Sequence, residues 1–197
     1  DPEEAYALDT YQTLRKSFPN LRLVLVPRHQ ERFEEVARLV ENRGLPLLKR
    51  SDVKQQAVGE LQSTEKPVLL LDTLGELSAC WGLAEVAFVG GSLTNRGGQN
   101  MIEPSAYGAG VLFGPNTRNF RDVVELLLSH NAARVVASPE DLTNCVQDWL
   151  QNPDEAANWG KRAQGLVLSQ QGATAKTVQL LEDVAGQAKE QQMRNAA

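Results

Sequence analysis

VAFVGGSLTNRGGQNMIEP, residues 86–104, has the pattern of an apolar strand, a glycine-rich loop and the start of a helix. A strand that runs through such a loop into a helix N-terminus often binds an anion, because backbone N–H groups and the positive end of the helix dipole converge there. Glycines also form tight strand-to-helix turns for steric reasons alone. The stretch by itself leaves both interpretations open.

Outward from this stretch, apolar runs alternate with helical segments along the chain. Strands are predicted at 21–26, 46–49, 67–72, 86–91, 110–114 and 133–137, and helices at 3–17, 30–44, 73–84, 101–108, 120–130 and from 138 onward, with Ser138 as N-cap and Pro139 at the first helical position. Residues 51–66 are polar and predict a loop or a short helix. Strands that are apolar on both faces favour a parallel sheet covered by helices. The predicted class is α/β, Rossmann-like.

Composition excludes several classes of protein. The 197 residues suit one generous domain, and a net charge of −5 without a basic run argues against binding to nucleic acid. Cys80 and Cys145 are predicted to be free thiols, and His29 and His130 lack the spacing of metal ligands. No run approaches the roughly 18 apolar residues of a membrane span, and no signal peptide opens the chain, so we expect a soluble piece.

The chain begins with Asp1 inside the approach to a helix, which suggests a fragment of a longer protein. We expect one Rossmann-like domain over residues 1–190 and a polar tail over residues 191–197.

In parallel α/β sheets, ligands bind at the carboxyl ends of the strands. That rule selects the segments PRH at 27–29, DTLGE at 72–76 and GGSLTNRGGQN at 90–100. Arg28 is placed to reach a phosphate with its planar donor group, or alternatively to pair with Glu31 or Glu34 on the surface.

Two carboxylates in these segments have a structural and a binding interpretation. Thr73 and Glu76 match a capping box, with Thr73 as N-cap, while the same helix start offers N–H groups to a ligand. Glu103, just before Pro104, is either an ordinary helix-start acid or a carboxylate that accepts both hydroxyls of a ribose. With Asn100 and the glycines nearby, the loop suggests a nucleotide-sugar donor site.

Other chemistries lack their motifs. No Asp-x-Asp pair predicts a metal-bridged diphosphate, so Arg28 and helix dipoles would have to stabilise a leaving group. No Gly-x-Ser-x-Gly elbow supports a hydrolase, and no GxxxxGK[ST] motif supports a P-loop NTPase.

Three stretches, LRLVLVPRHQERF at 21–33, DTLGEL at 72–77 and AFVGGSLTNRGGQNMIEPSAYGAGVLFGPNTRNF at 87–120, resemble the C-terminal half of the 3-deoxy-D-manno-octulosonic acid (Kdo) transferases. These are inverting enzymes of GT-B architecture. The resemblance runs in order through most of the chain. It implies a metal-independent, cofactor-free domain that binds the donor CMP-Kdo.

The resemblance also implies which residues bind the donor. The CMP-binding set is Pro27, Arg28, Leu74, Gly75, Glu76, Asn100, Met101, Ile102 and Glu103. It implies no catalytic residue in this chain, because the presumed catalytic glutamate, the site for a lipid A precursor and the membrane anchor all belong to an N-terminal domain. The full-length enzyme would then act at the cytoplasmic face of the bacterial inner membrane, in lipopolysaccharide biosynthesis, and the isolated chain would transfer nothing.

This sequence departs from the family at three points. Gln99 stands where histidine is usual and Met101 where proline is usual, and a strand with a Ser-Thr loop that precedes the first helix in the family is absent from this sequence. The alternatives are a UDP-sugar transferase or epimerase of GT-B architecture and a non-catalytic nucleotide- or partner-binding module.

Overall fold

The computed structural model describes residues 1–53 and 66–170, together with residues 172, 178, 179 and 181. Within these ranges the strands are β1 (Val24–Leu25), β2 (Leu47–Lys49), β3 (Val68–Leu70), β4 (Val86–Val89), β5 (Gly110–Phe113) and β6 (Ala133–Val135). The helices are α1 (Glu3–Leu14), α2 (Phe33–Glu41), α3 (Arg50–Val53), α4 (Leu77–Trp81), α5 (Ile102–Ala106), α6 (Arg121–Ser129), α7 (Pro139–Gln151) and α8 (Pro153–Ser169). The predicted tail at 191–197 and most of the polar stretch, residues 54–65, lie outside the described residues.

All strand pairs in the described part of the chain are parallel, which confirms the predicted α/β class. The strands are divided between two sheets, of order β1-β3-β2 and β4-β5-β6. Alternation of strands and helices did not predict this division. Strands β1 and β4 each lie at the edge of their sheet and, within the described part of the chain, pair with a neighbour on one side only.

Local sequence signals set the helix starts, correctly in one case and wrongly in another. Ser138 caps α7, where its Oγ accepts a hydrogen bond from Asp141 N at 3.1 Å and Pro139 takes the first helical position, as predicted. The capping box predicted at Thr73 is wrong, since α4 begins only at Leu77. Gly75 has φ +81°, outside helical space, so the Thr73 hydroxyl donates to the Glu76 carboxylate instead of capping a backbone N–H.

The described core consists of three hydrophobic clusters, and α1 packs against two of them. Leu8 and Tyr11 of α1 pack in a cluster with β1, α2 and β3, and Tyr6 packs on a second cluster around Trp149. Thr10 Oγ1 lies 2.7 Å from Thr143 Oγ1 on α7. Helix α1 therefore contacts elements of both sheets, and its N-terminus reaches the loop after β4.

The two thiols are free, as predicted. Burial raises the pKa of Cys80 and of Cys145 above the ordinary value for cysteine. Within the described ranges, the model contains no helix of the length and apolarity that crossing a membrane requires.

Candidate functional site

The three predicted segments leave the sheets at one edge. Strands β1 and β3 are paired in register, with Leu71 N donating to Leu25 O at 2.9 Å, so segments 27–29 and 72–76 emerge side by side. The loop after β4 joins them because Arg28 Nη1 donates to Gln99 Oε1 at 2.6 Å. This contact links positions 71 residues apart.

Arg28 is exposed and Pro27 beneath it is buried. The alternative interpretation, in which Arg28 pairs with Glu31 or Glu34, is wrong. Glu34 accepts from Lys49 Nζ at 2.6 Å, and Glu31 lies 3.7 Å from His29 Nδ1. Arg28 therefore presents its guanidinium at the strand ends, where an uncharged amide orients it. Among the residues that the structure describes, no carboxylate forms an ion pair with it.

The glycine-rich loop, defined here as residues 90–98, is held by contacts inside the protein. Gly91, Gly97 and Gly98 have φ of +70°, +93° and +80°, which L side chains rarely adopt. Gly98 N donates to Gly91 O at 2.8 Å and closes the loop on itself. The buried hydroxyl of Ser92 donates to Val89 O at 2.6 Å and accepts from Gly114 N at 2.8 Å.

Backbone donors of this loop are used by a carboxylate of the protein. Glu3, in the first turn of α1, accepts hydrogen bonds from the backbone N–H groups of Gly91, Leu93 and Thr94. The anion that the loop was predicted to bind is therefore, in this structure, a side chain from 88 or more residues away.

Residues 100–103 form a compact turn that continues into the start of α5. Asn100 Oδ1 accepts from Ile102 N at 3.0 Å, and Asn100 Nδ2 donates to Glu103 Oε1 at 3.0 Å. Trp81 Nε1 on α4 lies 3.4 Å from Glu103 Oε2 and donates to it. Each Glu103 oxygen keeps a second lone pair for a ligand hydroxyl. Met101 differs from its neighbours because its side chain is fully buried in the core around β4 and β5.

The segment after β3 exposes one side chain to solvent and holds its two carboxylates by hydrogen bonds. The Leu74 side chain is 72% exposed, and Glu76 accepts from Arg50 Nη2 at 2.7 Å and from the Thr73 hydroxyl. Asp72 accepts from both the N–H and the hydroxyl of Ser51, at 2.9 and 2.6 Å. Burial raises the pKa of Asp72, but these hydrogen bonds outweigh it and hold that pKa below the ordinary value.

Sequence reasoning missed Glu3, Trp81 and Arg50 as contributors to this region. Each acts on a residue that is 22 or more positions away in sequence. The one available signal was a pair of acidic residues in the first turn of α1, which is equally typical of a helix start without any other role. Among the residues that the structure describes, no group of three or more His, Cys, Asp or Glu side chains is placed to hold a metal ion.

Comparisons with known proteins identify the family. No protein-family model matches the chain. The 3-deoxy-D-manno-octulosonic acid transferase of Haemophilus influenzae is 33% identical over 180 residues, which cover 91% of this chain and 41% of the relative. The transferase of the same name from Bordetella pertussis is 34% identical over 184 residues, with the same coverage of 91% and 41%. The chain thus spans 41% of the length of these relatives.

This chain also matches a solved structure, and it covers a larger share of that structure than of the two relatives. The crystal structure of the C-terminal CMP-Kdo binding domain of WaaA from Acinetobacter baumannii is 30% identical, with a TM-score of 0.75, over 85% of this chain and 84% of that chain. The chain belongs to the Kdo transferase family. The likeness confirms the predicted fold class, the Rossmann-like C-terminal half of a GT-B glycosyltransferase. As a Kdo transferase domain, it has the edge at Arg28, Gln99 and Glu103 as its candidate site.

Proposed function

We propose that this chain is the donor-binding domain of an inverting, metal-independent glycosyltransferase that moves Kdo from CMP-Kdo to a lipid A precursor. The observation that carries this proposal is the likeness, over 85% of the chain, to the C-terminal CMP-Kdo binding domain of WaaA. The contact between Arg28 and Gln99 supports it, because it assembles donors from two strand ends at the edge where α/β proteins bind nucleotides.

In this proposal the CMP-binding set is Pro27, Arg28, Leu74, Gly75, Glu76, Asn100, Met101, Ile102 and Glu103. Arg28 binds the phosphate and stabilises the charge that develops on CMP as it leaves. Glu103, oriented by Trp81 and Asn100, accepts the ribose hydroxyls. Because the Met101 side chain is buried, its contribution is limited to backbone groups.

We assign the remaining chemistry to a domain outside this sequence. A carboxylate base there would take the proton of an acceptor hydroxyl, which attacks the anomeric carbon of Kdo. That domain would also hold the lipid A precursor and anchor the enzyme at the cytoplasmic face of the inner membrane. The chain alone would bind donor and transfer no Kdo, and assay of the isolated chain for Kdo transfer tests this directly.

The two sheets support a related proposal about the domain itself. Strands β1 and β4 are both edge strands, and the segments that follow them meet through Arg28 and Gln99. A strand from outside this sequence that pairs with both edges would join the halves into one parallel sheet, completing the domain of residues 1–190. Edges of this kind are ready templates for pairing.

Titration of the chain with CMP and with UMP, followed by backbone amide NMR, tests the function. We expect CMP to shift amides at 28–29, 72–76 and 99–103, and Arg28→Ala to weaken CMP binding about tenfold or more. Arg22→Ala is the matched control, because Arg22 is an exposed arginine before β1 whose Nη1 donates, among the described residues, to the carbonyls of Asn20 and Leu21.

The outcomes separate the candidate functions. CMP-selective binding that Arg28→Ala weakens and Arg22→Ala does not supports the Kdo donor site. A preference for UMP selects a UDP-sugar transferase or epimerase instead. A folded chain that binds neither nucleotide favours a non-catalytic partner-binding module and would contradict the proposed function.

A further inference from the structure

Glu3 lies at an unusual position for a carboxylate. Its side chain is only 7% exposed, although it occupies the first turn of α1. One oxygen accepts from Leu93 N at 2.7 Å, Thr94 N at 2.9 Å and Thr94 Oγ1 at 3.4 Å, and the other accepts from Gly91 N. Burial of a carboxylate is costly unless hydrogen bonds satisfy its charge, and here the backbone of one loop supplies them.

The charge of Glu3 is compensated by amides and not by a cation. Within the described residues no Lys, Arg or His forms an ion pair with Glu3, whereas the neighbouring Glu4 pairs with Arg32 and with the N-terminal amine. Successive backbone N–H groups that converge on an anion form a nest. The glycine-rich loop, residues 90–98, is therefore an anion nest whose anion belongs to the protein.

The nest is connected to the candidate site by backbone hydrogen bonds. Gly91, whose N–H binds Glu3, accepts from Gly98 N at 2.8 Å, and Gly90 accepts from Gln99 N at 3.1 Å. Gln99 in turn accepts from Arg28. A path of direct contacts thus runs from the Glu3 carboxylate through both ends of the loop to the guanidinium at the strand ends.

We propose that Glu3 is a positioning residue for the donor site: its carboxylate fills the nest, fixes the glycine-rich loop, and so sets the position of Gln99 and Arg28. This inference rests on the proposed function. It deepens that function by assigning the donor phosphate to side chains, since the N–H groups of Gly91, Leu93 and Thr94 already bind Glu3.

Gly90 fits the same role from the side of the loop. A Cβ at position 90 would lie 2.9 Å from Glu3 Oε2, and apart from the two chain neighbours of Gly90 no other heavy atom of the described residues lies within 4 Å of it. The nearest atom is the end of a flexible side chain, so Gly90→Ala would displace the carboxylate while the backbone of the loop keeps its conformation. It perturbs the same contact without changing Glu3.

The experiment compares Glu3→Ala, Glu3→Gln and Gly90→Ala with Glu4→Gln in the full chain. Glu4 is the matched control, because it is an acidic residue of the same helical turn that binds Arg32. The readouts are hydrogen exchange of the amides of Gly91, Leu93 and Thr94 and the dissociation constant for CMP. Acetate has the size of the group that Glu3→Ala removes, so it is added as a rescuing anion, with chloride at equal ionic strength as its control.

We expect the three loop amides to exchange about tenfold faster or more in Glu3→Ala, and CMP to bind about tenfold more weakly. Acetate restores both quantities in Glu3→Ala and leaves wild type unchanged, while chloride restores neither. Glu3→Gln and Gly90→Ala, which keep the size of the side chain or the carboxylate itself, show the same changes to a smaller extent. Glu4→Gln leaves the loop amides and CMP affinity as in wild type.

Three results would overturn the inference. Wild-type exchange and CMP affinity in Glu3→Ala would show that the carboxylate holds nothing. Faster exchange with unchanged CMP affinity would limit Glu3 to a structural role and leave the proposed function standing. Wild type that does not bind CMP would remove the proposed function itself, and the positioning role with it.

Discussion

The glycine-rich loop after β4 and the segment Pro27–His29 after β1 lie at the same edge of the fold but use their polar groups in opposite ways. In the loop, the backbone N–H groups of Gly91, Leu93 and Thr94 donate to Glu3, and the Ser92 hydroxyl accepts from Gly114 N. Arg28 is exposed and bonded to one amide, Gln99. The comparison teaches that the glycines, the most conspicuous feature of the sequence, build a scaffold, while the exposed side chain beside them is available to a ligand.

The largest expected effect tests the scaffold half of this comparison. A Cβ at Gly114 would lie 2.3 Å from Ser92 O and 2.5 Å from Leu93 N, which are backbone atoms of the loop. The loop cannot easily move away, because Glu3 binds its backbone N–H groups. We therefore expect Gly114→Ala to lower the free energy of unfolding by about 3 kcal/mol or more in urea denaturation. Gly165→Ala, on α8, is the control and should be neutral or stabilising, because the added Cβ would have no described atom within 4 Å outside the neighbouring backbone of its own helix. A Gly114→Ala loss below about 1 kcal/mol would mean that the loop yields easily.

Removal of the Ser92 hydroxyl is a second test of the glycine-rich loop as a scaffold. Ser92→Ala leaves the buried Gly114 N–H without its acceptor, and we expect a loss of about 1–3 kcal/mol in the free energy of unfolding. Ser129→Ala is the matched control, since its exposed hydroxyl donates to Leu126 O within the same helix. Equal losses in the two variants would contradict a special role for Ser92.

The segment after β3 lies between the two extremes, and its stability depends on pH. The pKa of Asp72 is lowered in the folded state, so its contribution is present above the unfolded pKa of about 3.9 and is lost as pH falls through the lower folded value. Wild type should therefore be more stable than Asp72→Asn at pH 6, by about 1 kcal/mol, with the difference shrinking below about pH 4.

Asp52→Asn, which removes an exposed carboxylate on α3, is the control for the measurements at low pH. Urea denaturation at pH 6 and at pH 3 supplies the measurement. A stability difference between wild type and Asp72→Asn that is as large at pH 3 as at pH 6 would contradict the role assigned to the hydrogen bonds from Ser51.

The smallest effect on stability is expected at Arg28, in the exposed segment after β1. Arg28→Ala removes one hydrogen bond between exposed groups, so the free energy of unfolding should change by less than about 0.5 kcal/mol. Differential scanning calorimetry of Arg28→Ala, beside the CMP titration, checks this. A large loss of stability would make Arg28 a part of the scaffold and erase the contrast between the two segments.

Much of the fold was predictable because its signals are local. The Ser138 and Pro139 start of α7, the apolar runs of β3, β4 and β5, and the short helix after Met101 all follow from neighbouring residues. The prediction at Thr73 was wrong although the pattern was local, since the positive φ of Gly75 competes with helix initiation there. Sequence placed the three site segments at strand ends, but the partners that it offered for Arg28 were wrong, and it did not offer Gln99 as the partner of Arg28.

The sequence by itself determined a parallel α/β domain with polar segments at the carboxyl ends of its strands, because periodicity and caps act over a few residues. Only the tertiary structure decided that Glu3 fills the glycine-rich loop and that Arg28 meets Gln99. Both contacts depend on how the two sheets and α1 come together, which hydrophobic burial fixes over the whole chain. The physical reason is that a backbone donor binds any acceptor within reach, and reach is set by the fold and not by sequence distance.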